Sequence, residues 1–376
     1  MDAPIKHAQV VIDPVAGGMR VVHNAQTRKY FRMGEREASF LEALDGSASL
    51  EQLQLHNASG FNPAEVAHLL AWFATHGLTG VTAEAVAPRS RMAAFMSGPD
   101  KWRIHLFDPN ALLDRHIGAV HALFSRPALA CYLAILLLPA LVFASVPGLM
   151  EQLAASYAMP LTAMQWAGLY LAMLAMIAGH EMAHAITCKH FGGKVHKIGV
   201  MLLYLQPVVY CDVSDSWRFR EVEKKIAVTA AGIFVQLLVS CVVISIWALT
   251  GGSQLLYFAV INVAIAVFNL FPLLKLDGYW MLVHIMDEPN LRHKGFEAVA
   301  RALRGGRTGP VHPALLAFGA ATILAVASFW CMGLYTIYRY SSRLSEVLAL
   351  ALVMGFSVYA VLRSWTFARS HLVPAQ

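Results

Sequence analysis

Two histidines and a glutamate interrupt an apolar stretch of this chain. Residues 159–187 contain no Lys, Arg or Asp, and their polar centre is the pentad HEMAH, which supplies His180, Glu181 and His184. Helix positions four residues apart lie on the same face, so His180 and His184 can offer their imidazoles to one metal ion. Glu181 then lies beside the metal as a general base, which is the arrangement of the HExxH pattern. The sequence therefore predicts a site for one zinc ion with hydrolytic chemistry.

The apolar surroundings of the pentad favour this metal site over a pair of structural core histidines. Ionisable side chains at the depth of a lipid bilayer are energetically costly and are kept mainly where they function. Of the 376 residues, 57% are apolar and 14% are charged, which is outside the range of an ordinary soluble protein. The composition therefore predicts a polytopic membrane protein with a soluble part.

Six apolar runs are long enough to cross a bilayer as helices. They cover residues 128–146, 161–187, 226–249, 255–274, 313–337 and 345–363. Residues 198–213 are also apolar, but this run is short and contains Gln206 and Pro207. A hairpin or re-entrant segment is therefore predicted there.

The distribution of Lys and Arg predicts how these spans are oriented. Positive charges cluster before the first span, between the second and third, and after the fourth, whereas residues 147–160 and 250–254 carry none. The positive-inside rule makes the charged loops cytoplasmic. We therefore expect an integral protein of the bacterial cytoplasmic (inner) membrane, with both termini and the active site on the cytoplasmic side. Contacts with anionic lipid account for the net charge of +6, and no nucleic-acid partner is predicted.

Residues 1–95 have the pattern of a small α+β, winged-helix-like domain. Short β-prone segments precede three predicted helices, with the strands near 10–12, 20–23 and 29–32 and the helices at 34–44, from Leu50 and at 62–77. The third helix begins at Asn62-Pro63, a favourable cap and first-turn pair, and stops at Gly77. Residues 96–126 follow as a linker, predicted to lie on the membrane surface as an amphipathic helix.

Three segments of this domain resemble the PqqD family of peptide chaperones. They are residues 30–35 (YFRMGE), 40–46 (FLEALDG) and 72–78 (WFATHGL). The resemblance implies a docking surface where a precursor peptide adds as a strand to the sheet edge. A DNA-binding winged helix and a purely structural cap are the alternatives. The first of these lacks a basic recognition helix, since residues 64–76 contain no Lys or Arg.

Two histidines leave a catalytic zinc ion short of one protein ligand. His190 has the spacing of the third histidine of metzincins, but Thr187 replaces the glycine that permits the turn. Cys188 extends the helical face of His184, but one helix that supplies three adjacent ligands closes a tetrahedron poorly. Asp277 is the third candidate and the one that we prefer.

The run 269–278 (NLFPLLKLDG) has the pattern NxxPxxxLDG. Together with the upstream HExxH, this run resembles the site-2 protease family of intramembrane metalloproteases. The similar part covers residues 160–285, within a predicted six-span membrane domain at 127–376. The resemblance implies a site-2 protease-like helical core, in which the segment after the pentad pairs with an extended substrate.

The same resemblance implies a role for each candidate residue. His180, His184 and Asp277 become the zinc ligands, and Glu181 becomes the catalytic base. Asn269 positions or polarises the substrate carbonyl. The predicted topology is consistent with this assignment, because the second and fourth spans both run from outside to inside and bring the pentad and Asp277 to one depth.

Three functions follow from these predictions. The first is a zinc-dependent intramembrane endopeptidase that matures a precursor peptide recruited by residues 1–95. The second is the same enzyme in regulated intramembrane proteolysis of a membrane-anchored regulator such as an anti-sigma factor. The third is a non-catalytic scaffold in peptide export or immunity, which the intact Glu181 disfavours. The PqqD-like domain favours the first, with a peptide or membrane-protein substrate and the lipid bilayer as partners.

Overall fold

The computed structural model describes residues 4–13, 19–24, 29–47, 61–79, 103–203, 206–303, 312–343, 345–347 and 349–358. Within these ranges the protein is mostly helical and contains two small antiparallel sheets. The chain divides into two compact units, residues 1–259 and 260–376, which are described in turn.

The first unit begins with a three-stranded sheet and two helices, which we call the head (residues 4–79). Its elements are strands β1 (Val10–Asp13), β2 (Met19–Asn24) and β3 (Lys29–Gly34) and helices α1 (Glu35–Glu42) and α2 (Pro63–Thr75). The strands pair antiparallel in the order β1-β2-β3. Alternate strand residues point to opposite faces, so Val22 and Met33 enter a core with Leu41, Phe73 and Leu78.

The secondary structure predicted for the head is confirmed wherever the structure describes it. All three strands lie at the predicted positions, and the helix predicted at 62–77 is α2. The Asn62 side chain accepts a hydrogen bond from the Glu65 amide, and the Glu65 carboxylate accepts one from the Asn62 amide. This capping box satisfies two amides at the start of the helix. The helix predicted from Leu50 lies outside the described residues.

The helix predicted within residues 96–126 is present as two short helices, which follow a strand that was not predicted, and its position on a membrane surface stays a prediction. The described part of this segment contains a strand and two short helices, β4 (Arg103–Phe107), α3 (Asn110–Arg115) and α4 (Ile117–Ala122). β4 forms because it pairs with a strand far along the chain, a contact that local periodicity does not reveal. Leu113 and Val120 are buried in a cluster with Ala185 and Val228, so one side of these two helices packs against α7 and α8.

The rest of the first unit alternates helices with a β-hairpin. In chain order its elements are α5 (Arg126–Ser145), α6 (Leu149–Ala158), α7 (Ala163–His190), β5 (Ile198–Leu203), β6 (Gln206–Cys211), a 3-10 helix (Ser214–Arg218), α8 (Val222–Thr250) and the start of α9 (Ser253–Asn269). β5 pairs antiparallel with both β4 and β6, which makes a second three-stranded sheet. The hairpin predicted within residues 198–213 is confirmed.

In its described residues the second unit contains the end of α9 and four further helices. These are α10 (Asp277–Met286), α11 (Leu291–Leu303), α12 (Pro313–Ser341) and α13 (Ala349–Val358). α11 and α12 approach closely where Gly295 meets Gly319, because a Cβ added at Gly319 would lie 2.2 Å from the Gly295 carbonyl oxygen. Small residues at such a crossing let two helix backbones pack directly against each other.

Four helices in the described ranges are long and apolar enough to cross a membrane, namely α5, α7, α8 and α12. They correspond to four of the six predicted spans. α9 has 17 residues and ends at Asn269, short of the predicted end at residue 274, because Pro272 disfavours helical backbone in the residue before it. α13 is described over only ten residues. The six-span architecture therefore remains a prediction.

Candidate metal centre

α7 carries both histidines of the pentad. The helix starts with a capping box between Thr162 and Gln165 and runs for 28 residues. It ends where Gly192 adopts the left-handed backbone conformation, with a φ of +85° that favours glycine. One turn apart on this rigid element, His180 and His184 are each only 6% exposed.

Hydrogen bonds orient the two imidazoles toward each other. The Nδ1 atom of His180 lies 2.9 Å from the Gln236 side-chain oxygen, and that of His184 lies 2.7 Å from the Val228 carbonyl oxygen. Both oxygens only accept hydrogen bonds, so each Nδ1 carries the proton and each Nε2 keeps its lone pair. The two Nε2 atoms are 3.0 Å apart. Both lone pairs are thus available to one ion.

α8 supplies the partners that hold His180 in this orientation. Gln236 is 1% exposed, and Gly232 lies one turn before it on the same helical face. A Cβ added at Gly232 would lie 2.4 Å from the His180 ring, so only glycine lets α8 approach the ring this closely. The sequence analysis missed both residues. The signal was the only amide side chain in the predicted span 226–249, four positions after a glycine.

Asp277, the third predicted ligand, has a ligand atom close to those of the two histidines. Ligand atoms of His180, His184 and Asp277 all lie within 4.8 Å of one another, and no other such group of three or more His, Cys, Asp or Glu residues occurs in the described ranges. Asp277 is the first residue of α10, and Gly278 follows it. A Cβ at Gly278 would lie 2.0 Å from the Leu270 carbonyl oxygen, so the close packing at this turn requires glycine.

The other two candidates for the third ligand have different neighbours. His190 lies at the end of α7, where its Nδ1 atom is 2.9 Å from that of His121 and its ring stacks on Phe124 with centroids 3.9 Å apart. Cys188 is fully buried in an apolar cluster, and a Cβ at Gly193 would lie 2.6 Å from its sulfur. Neither residue belongs to the group that could hold a metal.

The second sheet positions Glu181. The Cys211 amide, at the end of β6, donates a hydrogen bond of 2.9 Å to the Glu181 carboxylate. Burial, followed by the nearby Glu181 charge, raises the pKa of the Cys211 thiol well above its ordinary value of 9.0, so this thiol stays protonated. Cys211 therefore contributes its main-chain amide to the site, and it does not belong to the group of residues that could hold a metal.

These side chains fit a zinc ion by both type and spacing. Two nitrogen ligands at zinc–nitrogen distances of about 2.0 to 2.1 Å in a tetrahedral site lie about 3.3 Å apart, close to the 3.0 Å between the Nε2 atoms of His180 and His184. Two imidazoles and a carboxylate form a common ligand set of catalytic zinc. The acceptors at each Nδ1 are the outer partners that metal-binding histidines usually have.

Asn269 is the remaining predicted site residue. It is the last residue of α9 and is half-buried. Its role toward a substrate carbonyl stays a prediction. Comparison of the whole chain with protein-family models, with curated proteins and with solved structures finds no match.

Proposed function

We propose that this chain is a zinc-dependent intramembrane endopeptidase, with a site-2 protease-like six-span core, that matures a precursor peptide recruited by the head. The observation that carries the proposal is the arrangement around the pentad. Two imidazoles present their Nε2 lone pairs 3.0 Å apart, and the Asp277 carboxylate lies within reach of the same ion. Glu181 follows His180 directly and is held by the second sheet.

His180, His184 and Asp277 would hold the zinc ion. When bound, zinc lowers the pKa of a coordinated water to about 7 and polarises a peptide carbonyl. Glu181 accepts a proton from the attacking water and returns it to the leaving amine, which are the two steps of a general base and acid. The Cys211 amide keeps the Glu181 carboxylate oriented for both steps.

The outer edge of β6 suits an extended substrate. The Asp212 amide donates toward β5, to Lys197, so the neighbouring Cys211 amide points away from β5. It points to Glu181, and the main-chain groups of Val209 face the same way by strand alternation. A helical substrate hides its carbonyls in hydrogen bonds and must unwind before cleavage. Pairing with β6 would keep it extended with its carbonyls beside Glu181.

The outer edge of β3 supports recruitment of a peptide. β3 is the last strand of the head sheet, and the aromatic residues of α2 line its side. The Phe31 ring meets Trp72 and His76 edge-on at 5.3 Å, and Trp72 stacks on His76 at 4.2 Å. Added strands gain affinity from main-chain hydrogen bonds and specificity from side-chain contacts, which these half-buried rings would supply. A precursor segment with apolar side chains at alternate positions would fit.

The test is a cleavage assay with the full-length protein in lipid vesicles. We expect the wild type to cleave a membrane-associated precursor peptide, with products identified by mass spectrometry. Glu181→Gln should keep its zinc, measured by elemental analysis, and lose at least about 10³-fold in rate because the ligands remain and the base is lost. Glu223→Gln makes the same change at an exposed position in the first turn of α8 and should be silent.

Cleavage by Glu181→Gln at the wild-type rate would exclude Glu181 as the base and favour a scaffold. Cleavage of a membrane-anchored regulator that does not depend on the head would instead favour regulated proteolysis.

A further inference from the structure

The face of the head sheet that turns away from the head core is also covered. Val22 lies in the core, so Val21 and His23 lie on the opposite face of β2. Both are nearly buried, at 6% and 8% exposure. Tyr30 pairs with His23 across the strands and stacks on it, while Asp13 pairs with Val21. We call Asp13, His23 and Tyr30 the docking face.

Residues at the two ends of the β5–β6 hairpin bind this docking face. The Arg218 guanidinium donates two hydrogen bonds of 2.5 and 2.9 Å to the two carboxylate oxygens of Asp13. Such bidentate pairs fix geometry as well as adding energy. The Tyr30 hydroxyl donates to Asp215 at 3.1 Å and lies 3.4 Å from His196 Nε2. We call His196, Asp215 and Arg218 the hairpin base.

Asp215 lies at the centre of these contacts and is 2% exposed. Its carboxylate accepts hydrogen bonds from the Tyr30 hydroxyl, from Arg218 at 3.3 Å and from the Lys194 amide at 2.8 Å. Lys194 precedes β5 and Asp215 follows β6, so one buried carboxylate joins both ends of the hairpin and the head. A buried charge with this many partners favours one arrangement, because removal of any partner leaves it incompletely satisfied.

The β5–β6 hairpin connects this contact with Glu181. Cys211 lies four positions before Asp215, and Asp212 between them still pairs with Lys197 through a 2.8 Å main-chain hydrogen bond. The Cys211 amide then donates to Glu181. A continuous chain of hydrogen bonds and hairpin backbone therefore connects the docking face with the Glu181 carboxylate.

We propose that Arg218 and Asp215 are positioning residues, which fasten the head to the hairpin base and thereby hold Glu181 in place for the chemical step. This inference rests on the proposed function and deepens it, because the head then contributes to the rate of cleavage as well as to recruitment. A precursor peptide bound along β3 lies on the strand that carries Tyr30. Its recruitment and the alignment of Glu181 therefore depend on the same contacts.

Charge reversal of the Asp13–Arg218 pair tests the proposal in the full-length protein. Asp13→Arg and Arg218→Asp should each lower kcat about tenfold, for the precursor and for a short peptide without the head-binding segment. Zinc content should not change. The double variant restores an opposite-charge pair between positions 13 and 218 but leaves Asp215 without its Arg218 hydrogen bond, so kcat should recover part of the loss and stay below wild type. Arg20→Glu breaks the comparable Arg20–Glu42 pair inside the head and should leave kcat unchanged.

Two kinetic outcomes would overturn the proposal. One is single variants that raise the KM for the precursor and leave kcat unchanged, because the head would then only recruit. The other is a double variant whose loss in kcat equals the product of the two single losses, because positions 13 and 218 would then act independently.

Amide hydrogen exchange gives a second measurement that needs no activity. We expect residues 208–211 to exchange faster in each single charge reversal, less fast in the double variant than in either single one, and at the wild-type rate in Arg20→Glu. Unchanged exchange in the single variants contradicts the positioning role. If the wild type cleaves no peptide, the proposed function fails, and this exchange pattern still decides whether the head fixes the hairpin.

Discussion

The part of the chain that the structure describes contains two three-stranded antiparallel sheets that are built in different ways. The head sheet joins strands that follow one another in the chain, so that β2 pairs with its two sequence neighbours. The second sheet joins a sequence-neighbouring hairpin to β4, and Arg103 pairs with Met201 across helices α3 to α7. Among the described strands β3 is an edge strand beside aromatic side chains of α2, whereas the last residue of β6 donates a hydrogen bond to Glu181.

Because of this difference, the two sheets are suited to different functions. A sheet made of local contacts can form early and by itself, because little chain entropy is lost in closing its loops. The second sheet requires the folded helices before β4 can join it. We infer that the head sheet serves recruitment and the second sheet serves chemistry. The predictions below separate these two roles, from the largest expected effect to the smallest.

Loss of a metal ligand should have the largest effect and should leave the head untouched. Asp277→Ala should remove zinc from the purified protein and abolish cleavage, because two histidines alone hold the ion weakly. His190→Ala should keep zinc, since His190 contacts His121 and Phe124. Elemental analysis of both variants decides the matter. The opposite result, with zinc lost only in His190→Ala, would refute the ligand assignment.

A change in the partner of His180 should weaken the site without removing it. Gln236→Leu removes the acceptor of the His180 Nδ1 proton, and we expect zinc affinity to fall about 10- to 100-fold. Gln236→Glu keeps an acceptor and should stay near wild type, which separates hydrogen bonding from packing. Zinc release to a chelator measures both variants. Equal affinity in Gln236→Leu and wild type would show that this hydrogen bond does not tune the metal.

A change in the aromatic cluster of Phe31, Trp72 and His76 should affect the binding of the precursor and leave the chemical step unchanged. Trp72→Ala removes the ring that contacts Phe31 and His76, and we expect the KM for the precursor to rise about tenfold. The kcat should stay constant, as should cleavage of a short peptide without the head-binding segment. Steady-state kinetics with both substrates provides the test. A fall in kcat for the short peptide would mean that this aromatic cluster does more than recruit the precursor.

A lower pH should slightly reduce the stability of the head against unfolding. Burial, followed by the charge of Arg218, lowers the pKa of His23 below its ordinary value of 6.5, despite the opposing charges of Asp13 and Asp215. Below pH 6.5 the unfolded chain therefore binds a proton that the folded head resists, and stability falls as the pH falls. Between pH 7 and 5 we expect the melting temperature to drop by roughly 2 °C more in wild type than in His23→Gln. Parallel pH profiles would exclude this histidine as a cause.

Most of the local structure could be predicted from the sequence. Strand alternation and the Asn62 cap indicated the head, and the HExxH spacing indicated a shared face for His180 and His184. The hairpin was predictable because residues 198–213 are too short to span and contain a proline. These signals all act between residues close in sequence, where steric preference and hydrogen bonding leave few alternatives.

The features that could not be predicted all depend on distant contacts. β4 is a strand because β5 offers it an edge, and nothing in the apolar spacing of residues 103–107 distinguishes it from an amphipathic turn. The contact between Arg218 and Asp13 joins residues 205 positions apart in segments that share no motif. α9 ends at Asn269 although the apolar run continues, because a single proline acts against it.

The two histidines also differ in whether a substitution can remove their hydrogen-bond partner. His180 depends on a side chain, Gln236, whereas His184 depends on the main-chain carbonyl of Val228. Any amino acid at position 228 supplies that carbonyl. A substitution there therefore leaves the partner of His184 in place as long as the path of α8 is unchanged. Adaptation to another metal or to scarce zinc can therefore act through position 236 and hardly through position 228. Directed evolution of this centre would accordingly find its adjustable element in α8, outside the pentad that defines the site.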